Sequence, residues 1–282
     1  MITTIFNDFI TISVQSKGAE LISLKTDKQE FMWNGNPEFW GKHSPVLFPI
    51  VGSLKNNSYK IGSTEYILTR HGFARDQEFV LIELNPESII FSLKANKETL
   101  ENYPFDFELQ IKYTIHENTL TIQYLVLNNS GNEMPFSVGA HPAFSLPNGF
   151  ENYSLEFSDD ENPEYHLLEN GLISDKTNLL ELNNRILQLD YKTFQNDALV
   201  FKNLKSKSIT ILEKSIPYIK MRFDDFPNLG IWTVQNASFI CIEPWFGYSD
   251  TTQSNGNIYD KEEIIVLEKN HIFQIQFSIE IM

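Results

Sequence analysis

Three polar side chains each stand directly before a glycine or a proline: His71 in "TRHGFARD", His141 in "FSVGAHPAF" and Glu243 in "ASFICIEPWFGY". Glu243 lies among Cys241, Ile242, Trp245 and Phe246. Desolvation there disfavours the charged carboxylate and raises its pKa, the environment a general base needs. Imidazole titrates near neutrality and suits a general acid. Pro142 and Pro244 push the residue before each into an extended backbone, which fixes the directions of His141 and Glu243.

Alternation puts His141 on the face of Gly139 and Ser137, small residues that leave room beside the ring, with Phe136 and Phe144 framing it. The competing possibility is a hydrogen-bonded core histidine. In "EYILTRH" the same alternation leaves His71 at a strand end that Gly72 breaks, where a plain rim histidine is the alternative. Arg75 and Asp76 form a local ion pair, worth little if exposed. Asp197, just ahead of "ALVF", is a turn carboxylate when taken alone. The expectation is that His71, His141 and Glu243 stand at sheet rims and converge on one pocket.

The elements that would hold these groups read as strands. "FELQIKYTI" places Phe107, Leu109, Ile111, Tyr113 and Ile115 on one face and polar residues on the other. "YIKMRF" and "IFQIQFSIEI" repeat the pattern of antiparallel strands with one buried face. "ITISVQS", "AELISLK", "FVLIEL", "SIIFSLK", "LTIQYLVLN", "SITILE" and "IIVLE" are further strand candidates, and "IHENTLTIQY" predicts a hairpin. Helical periodicity is limited to a turn or two at "NPEFWG" and "ETLENYPF". With no repeat or linker, a single all-β domain over residues 1–282 is expected, its strands stacked as a sandwich or closed as a barrel.

Composition narrows the function. A formal charge of −15 with no basic stripe argues against a nucleic-acid partner. No run reaches the ~20 apolar residues of a membrane span, and the opening lacks a signal-peptide pattern. A cytoplasmic protein without a membrane partner is expected, its oligomeric state open. The lone Cys241 excludes an internal disulfide and has no second cysteine for a metal site, and no histidines are spaced as metal motifs require, so no metal or cofactor is expected.

Taken together, "FPIVGSLKNNSYKIGSTEYILTRHGFAR", "GAHPAF", "NDALVFKN" and "CIEPWFG" resemble the aldose 1-epimerase (galactose mutarotase-like) family, and within it the LacX-like branch. The similarity spans nearly the whole chain. The resemblance implies a galactose mutarotase-like β-supersandwich and a cofactor-free interconversion of sugar anomers. By position it makes Glu243 the base at the anomeric hydroxyl and His141 the acid at the ring oxygen. It also makes His71 a hydrogen-bonding partner near that oxygen and Asp197 the holder of a ring hydroxyl. Arg75 and Trp232 join them as substrate-binding candidates, and Trp33, Trp40 and Trp245 are further stacking surfaces. Many relatives carry an arginine after the glycine of "FPIVG"; here Ser53 stands there, with Lys55 two residues on.

Other functions fit parts of the pattern. A non-catalytic sugar sensor would share the pocket but leave the pairing of Glu243 with His141 unexplained. A glycosidase would use Asp197 and Glu243 as its two carboxylates and leave the histidines idle. A hexose-6-phosphate mutarotase would need Lys55, Arg70 or Arg75 to face the sugar.

Overall fold

Alternating buried residues are the dominant local signal, and the sheets follow from them. A computed structural model describes residues 1–282. In the strand Phe107–His116 the five residues expected inside are buried, and their neighbours are half-buried or exposed. It pairs with Thr119–Asn128 in the expected hairpin, through a turn in which Glu117 takes a positive φ of 49°. Both belong to an antiparallel nine-stranded sheet that also holds Ile272–Ile281, Ile216–Arg222 and Ser208–Glu213.

A second antiparallel sheet of eight strands holds Glu243 and flanks His141. Its order runs Leu172–Leu179, Glu164–Glu169, Leu199–Lys202, Asn228–Trp232, Phe239–Phe246, Val138–Ala140 and Val46–Leu47, with Ala143–Ser145 also paired to Phe239–Phe246. Ile240 and Ile242 pack into the same core as Phe107, Leu109 and Ile111 of the nine-stranded sheet. Strand periodicity sends the residues between them to the opposite face. Phe239 and Cys241 accordingly join a separate small cluster with Trp33 and Ala143, and Trp245 joins another with Leu47 and Val200. One face of this sheet builds the core, and the other is free to line a cleft.

The remaining elements are minor. Residues 2–25 form a three-stranded antiparallel sheet, "ETLENYPF" yields the helix Lys97–Asn102, and "NPEFWG" makes only a turn. No helix is long and apolar enough to cross a membrane.

Candidate active site

The site begins with a break in the eight-stranded sheet. Val138–Ala140 and Ala143–Ser145 both pair with Phe239–Phe246, with Gly139 opposite Trp245 and Ala143 opposite Cys241. The same register carried across the gap places His141 opposite Glu243. Directly opposed residues project to one face, and His141 Nε2 lies 3.2 Å from Glu243 Oε2.

Three sequence expectations change here. Glu243 does not end its strand, because pairing continues past Pro244 to Phe246. Ile242 N–H reaches across the break to the Pro142 carbonyl at 3.4 Å. Pro244 is the next residue facing that edge, so its missing N–H falls where the neighbouring strand is interrupted. His141, in turn, is not framed by Phe136 and Phe144, which are buried in the main core. It stacks on Trp40 at 4.7 Å and meets Trp232 edge-on at 5.8 Å. Nor is the space over Gly139 empty: a Cβ there would meet Trp245 at 2.6 Å, and one on Gly230 would meet the same indole at 2.4 Å.

His71 also departs from expectation. Its strand stops at Ile67, and His71 and Gly72 both take φ of 69°. Gly72 is obligatory, since a Cβ would lie 2.3 Å from the Phe48 carbonyl oxygen. The left-handed conformation of His71 is secured by a reciprocal pair of bonds. Its N–H donates to the Gly52 carbonyl at 2.7 Å, and the Gly52 N–H donates to Nδ1 at 3.1 Å. Arg70 Nε approaches Nε2 at 3.1 Å. A neutral imidazole carries one N–H, and the fixed Gly52 amide assigns Nδ1 as acceptor. The proton of a neutral ring therefore belongs on Nε2, the nitrogen beside the exposed Arg70 guanidinium.

These groups share one cavity of about 280 Å³. Its walls include all six sequence candidates, His71, Arg75, His141, Asp197, Trp232 and Glu243, joined by Trp40, Arg70, Ala198 and Trp245. Asp197 precedes its strand at a positive φ of 89°, bonded through Oδ1 to the Ala198 N–H. Arg75 donates to the Arg70 carbonyl at 2.8 Å and stands 3.8 Å from Asp76, which binds Lys42 at 3.0 Å. Lys55 turns away, donating to the carbonyls of Thr252 and Ser254. Trp33 is buried, and its indole N–H holds the Trp40 carbonyl at 2.8 Å.

Trp40 and Arg70 stood in the sequence only as members of longer candidate groups. Trp40 is placed by a loop that the buried Glu20 anchors, accepting the N–H groups of His43 and Ser44. No local pattern connects Glu20 to that loop.

Burial sets the charges. It pushes Glu243 well above the usual carboxylate range, helped by Asp197 and opposed by Arg70 and the Trp245 indole. It lowers His141 to about 3, with Arg70 and Arg75 adding to the effect. His71 falls too, from burial first and then from His141 and both arginines. Burial thus favours the neutral forms of both imidazoles and of the Glu243 carboxyl group.

Known proteins are similar to this chain along its length. Residues 1–265 fit the family model for aldose 1-epimerase. A LacX protein of Lactococcus lactis subsp. lactis is 38% identical over 278 residues, covering 92% of each chain. The structure of a galactose mutarotase related enzyme from Lactobacillus acidophilus superposes with a TM-score of 0.95 at 33% identity, covering 100% of this chain and 97% of the other. A galactose mutarotase-like protein from Lactobacillus casei gives 0.92 at 27% identity, with both chains fully covered. The all-β fold is thus a galactose mutarotase-like supersandwich, and the chain belongs to the aldose 1-epimerase family.

Proposed function

We propose that the protein interconverts the α and β anomers of an aldohexose by opening and reclosing the sugar ring, without a cofactor. The observation that carries this is the His141–Glu243 pair, 3.2 Å apart on the floor of the cavity. An anomeric carbon bears two oxygens, the hydroxyl and the ring oxygen. Ring opening takes a proton from one and gives a proton to the other. Two adjacent proton-transfer groups match two oxygens on one carbon.

In the opening step the Glu243 carboxylate removes the C1 hydroxyl proton. The freed electron pair forms the carbonyl, the bond from C1 to the ring oxygen breaks, and that oxygen takes the proton from His141. The pair is then neutral, with the proton on Glu243, while the open sugar turns about C1–C2. Closure returns the hydroxyl proton to His141 and the Glu243 proton to the new C1 oxygen. The neutral pair that burial favours is therefore the one matched to the open-chain sugar. The closed sugar needs the ion pair, which donors from its hydroxyls to Glu243 stabilise.

Other walls bind. His71 Nε2–H donates near the ring oxygen, Asp197 accepts from a ring hydroxyl, and Trp40 and Trp232 cover the apolar faces of the ring. The volume, at the small end for ligand sites, suits one sugar ring. Arg70 and Arg75 on the wall support a second substrate class, the hexose 6-phosphates, because guanidinium groups bind phosphate through paired hydrogen bonds. NMR of anomer exchange on freshly dissolved aldohexoses and their 6-phosphates tests both. Exchange no faster than the spontaneous rate for every sugar would leave a sugar-binding sensor in place of an enzyme.

A further inference from the structure

Cys241 was set aside in the sequence for want of partners, yet the fold supplies them. It lies two residues before Glu243 on one strand, so both project to the same face, and His141 stands across the break. One ligand-type atom from each of His141, Cys241 and Glu243 falls within 4.8 Å of the others, and all three side chains are buried. Of the atoms that face one another, Glu243 Oε2 is buried with no hydrogen-bond partner of its own. We propose that His141, Cys241 and Glu243 form a binding site for a borderline-soft divalent cation such as zinc, and that the bound ion switches the enzyme off.

The donor set selects the ion. Thiolate, imidazole and carboxylate are the ligands zinc takes in proteins, whereas magnesium and calcium prefer oxygen alone. At zinc bond lengths of ~2.0–2.3 Å, tetrahedral ligand atoms stand roughly 3.3–3.6 Å apart. His141 Nε2 and Glu243 Oε2 already stand close to that spacing at 3.2 Å, and Cys241 Sγ lies within 4.8 Å of both residues' ligand atoms. Cys241 belongs to the buried cluster of Trp33, Ala143 and Phe239, while His141 and Glu243 line the cavity. Three protein ligands leave the fourth place of a tetrahedral ion for a solvent molecule.

The affinity is modest by construction. A metal-binding histidine is normally oriented by a partner on its other nitrogen, and His141 Nδ1 is buried without one. The Cys241 thiol proton must also leave to solvent as the ion enters. A reversible inhibitory site follows, rather than a structural one. Inhibition is direct, because the ion occupies both groups that transfer protons. This consequence rests on the proposed function, whereas the binding site itself does not.

Cobalt(II) and zinc added to the apo protein test the two parts separately. Tetrahedral ligand-field bands with a thiolate-to-cobalt charge-transfer band should appear in the wild type, and zinc should bleach them. Sub-millimolar zinc should inhibit anomer exchange and EDTA should restore it, while millimolar magnesium leaves it unchanged. In Cys241→Ser and Cys241→Ala the charge-transfer band should vanish. Zinc sensitivity, normalised to each variant's own metal-free rate, should weaken by at least the roughly 10–100-fold that loss of an outer-shell partner costs. Wild type without the thiolate band, or variants as sensitive to zinc as wild type, would overturn the site. A cobalt band in a protein that catalyses no exchange would uphold the site and refute the proposed enzyme.

Discussion

His141 and Glu243 occupy opposed positions in one antiparallel register, across the two-residue interruption between Val138–Ala140 and Ala143–Ser145. An intact ladder would carry hydrogen bonds through this point. The break frees both side chains to meet at 3.2 Å over a cavity. The proposed base sits within a strand and the proposed acid between two strands paired to it, so sheet register sets their apposition.

Activity should be bell-shaped in pH, because the working pair holds one proton in total. A second proton is added as pH falls toward the value of about 3 for His141, and the last is lost as pH rises past the elevated value of Glu243. The alkaline limb thus belongs to the carboxyl group and the acid limb to the imidazole. A kcat/KM profile that climbed steadily to high pH would contradict the assignment.

Stability should respond to the same burial. Both His141 and His71 have pKa values below the usual 6.5, so the unfolded chain binds more protons under acid conditions. Their contribution is complete above about 6.5 and is lost as pH falls below it, by up to about 1.4 kcal/mol per pH unit for each group. Glu243 acts in the other direction: its raised value stabilises the fold at low pH, an advantage lost as pH rises through that value. Melting curves of His141→Asn should be flatter than wild type on the acid side. Parallel curves would mean that His141 titrates alike in both states.

Gly230→Ala tests how closely the pocket wall is fitted. Its Cβ would fall 2.4 Å from the Trp245 ring, and overpacking of this kind costs about 1–3 kcal/mol. The indole can move only toward the cavity or off Gly139, so exchange should drop while circular dichroism reports a folded β protein. Full activity with an unmoved indole would show that the strand can shift to absorb the methyl.

Substrate charge should be read by Arg70 and Arg75 and not by Lys55. If a hexose 6-phosphate is preferred, Arg70→Ala or Arg75→Ala should erase the preference, and Lys55→Ala should keep it. A preference lost with Lys55 alone would place the phosphate elsewhere.

Much of this was legible before the structure. Strands with one buried face, such as Phe107–His116, announce themselves through alternation. The hairpin Glu164–Glu169 with Leu172–Leu179 does not, because at the sheet edge most of its residues are half-buried or exposed. His141 and Glu243 stood out by type and by the prolines after them. Their apposition did not, since it depends on register between segments a hundred residues apart. Pro244 suggested a strand end because the sequence cannot reveal that the adjacent strand is broken beside it. Alternation likewise ran on to His71, although the strand stops at Ile67 and His71 and Gly72 are both left-handed. His141 comes beside Cys241 and Glu243 only through strand pairing, which spacing along the chain does not show.

The central claim, that Glu243 is the base of a proton-transfer pair, is tested most directly by NMR anomer exchange on wild type and Glu243→Gln. The amide keeps the shape and hydrogen-bonding capacity of the side chain but cannot accept the hydroxyl proton. The variant should fold and bind sugar within about tenfold of wild type, a difference of roughly 1.4 kcal/mol. Its exchange rate should fall by the ~10²–10⁴ that a positioned acid or base contributes. A folded, sugar-binding Glu243→Gln with wild-type exchange would contradict the account.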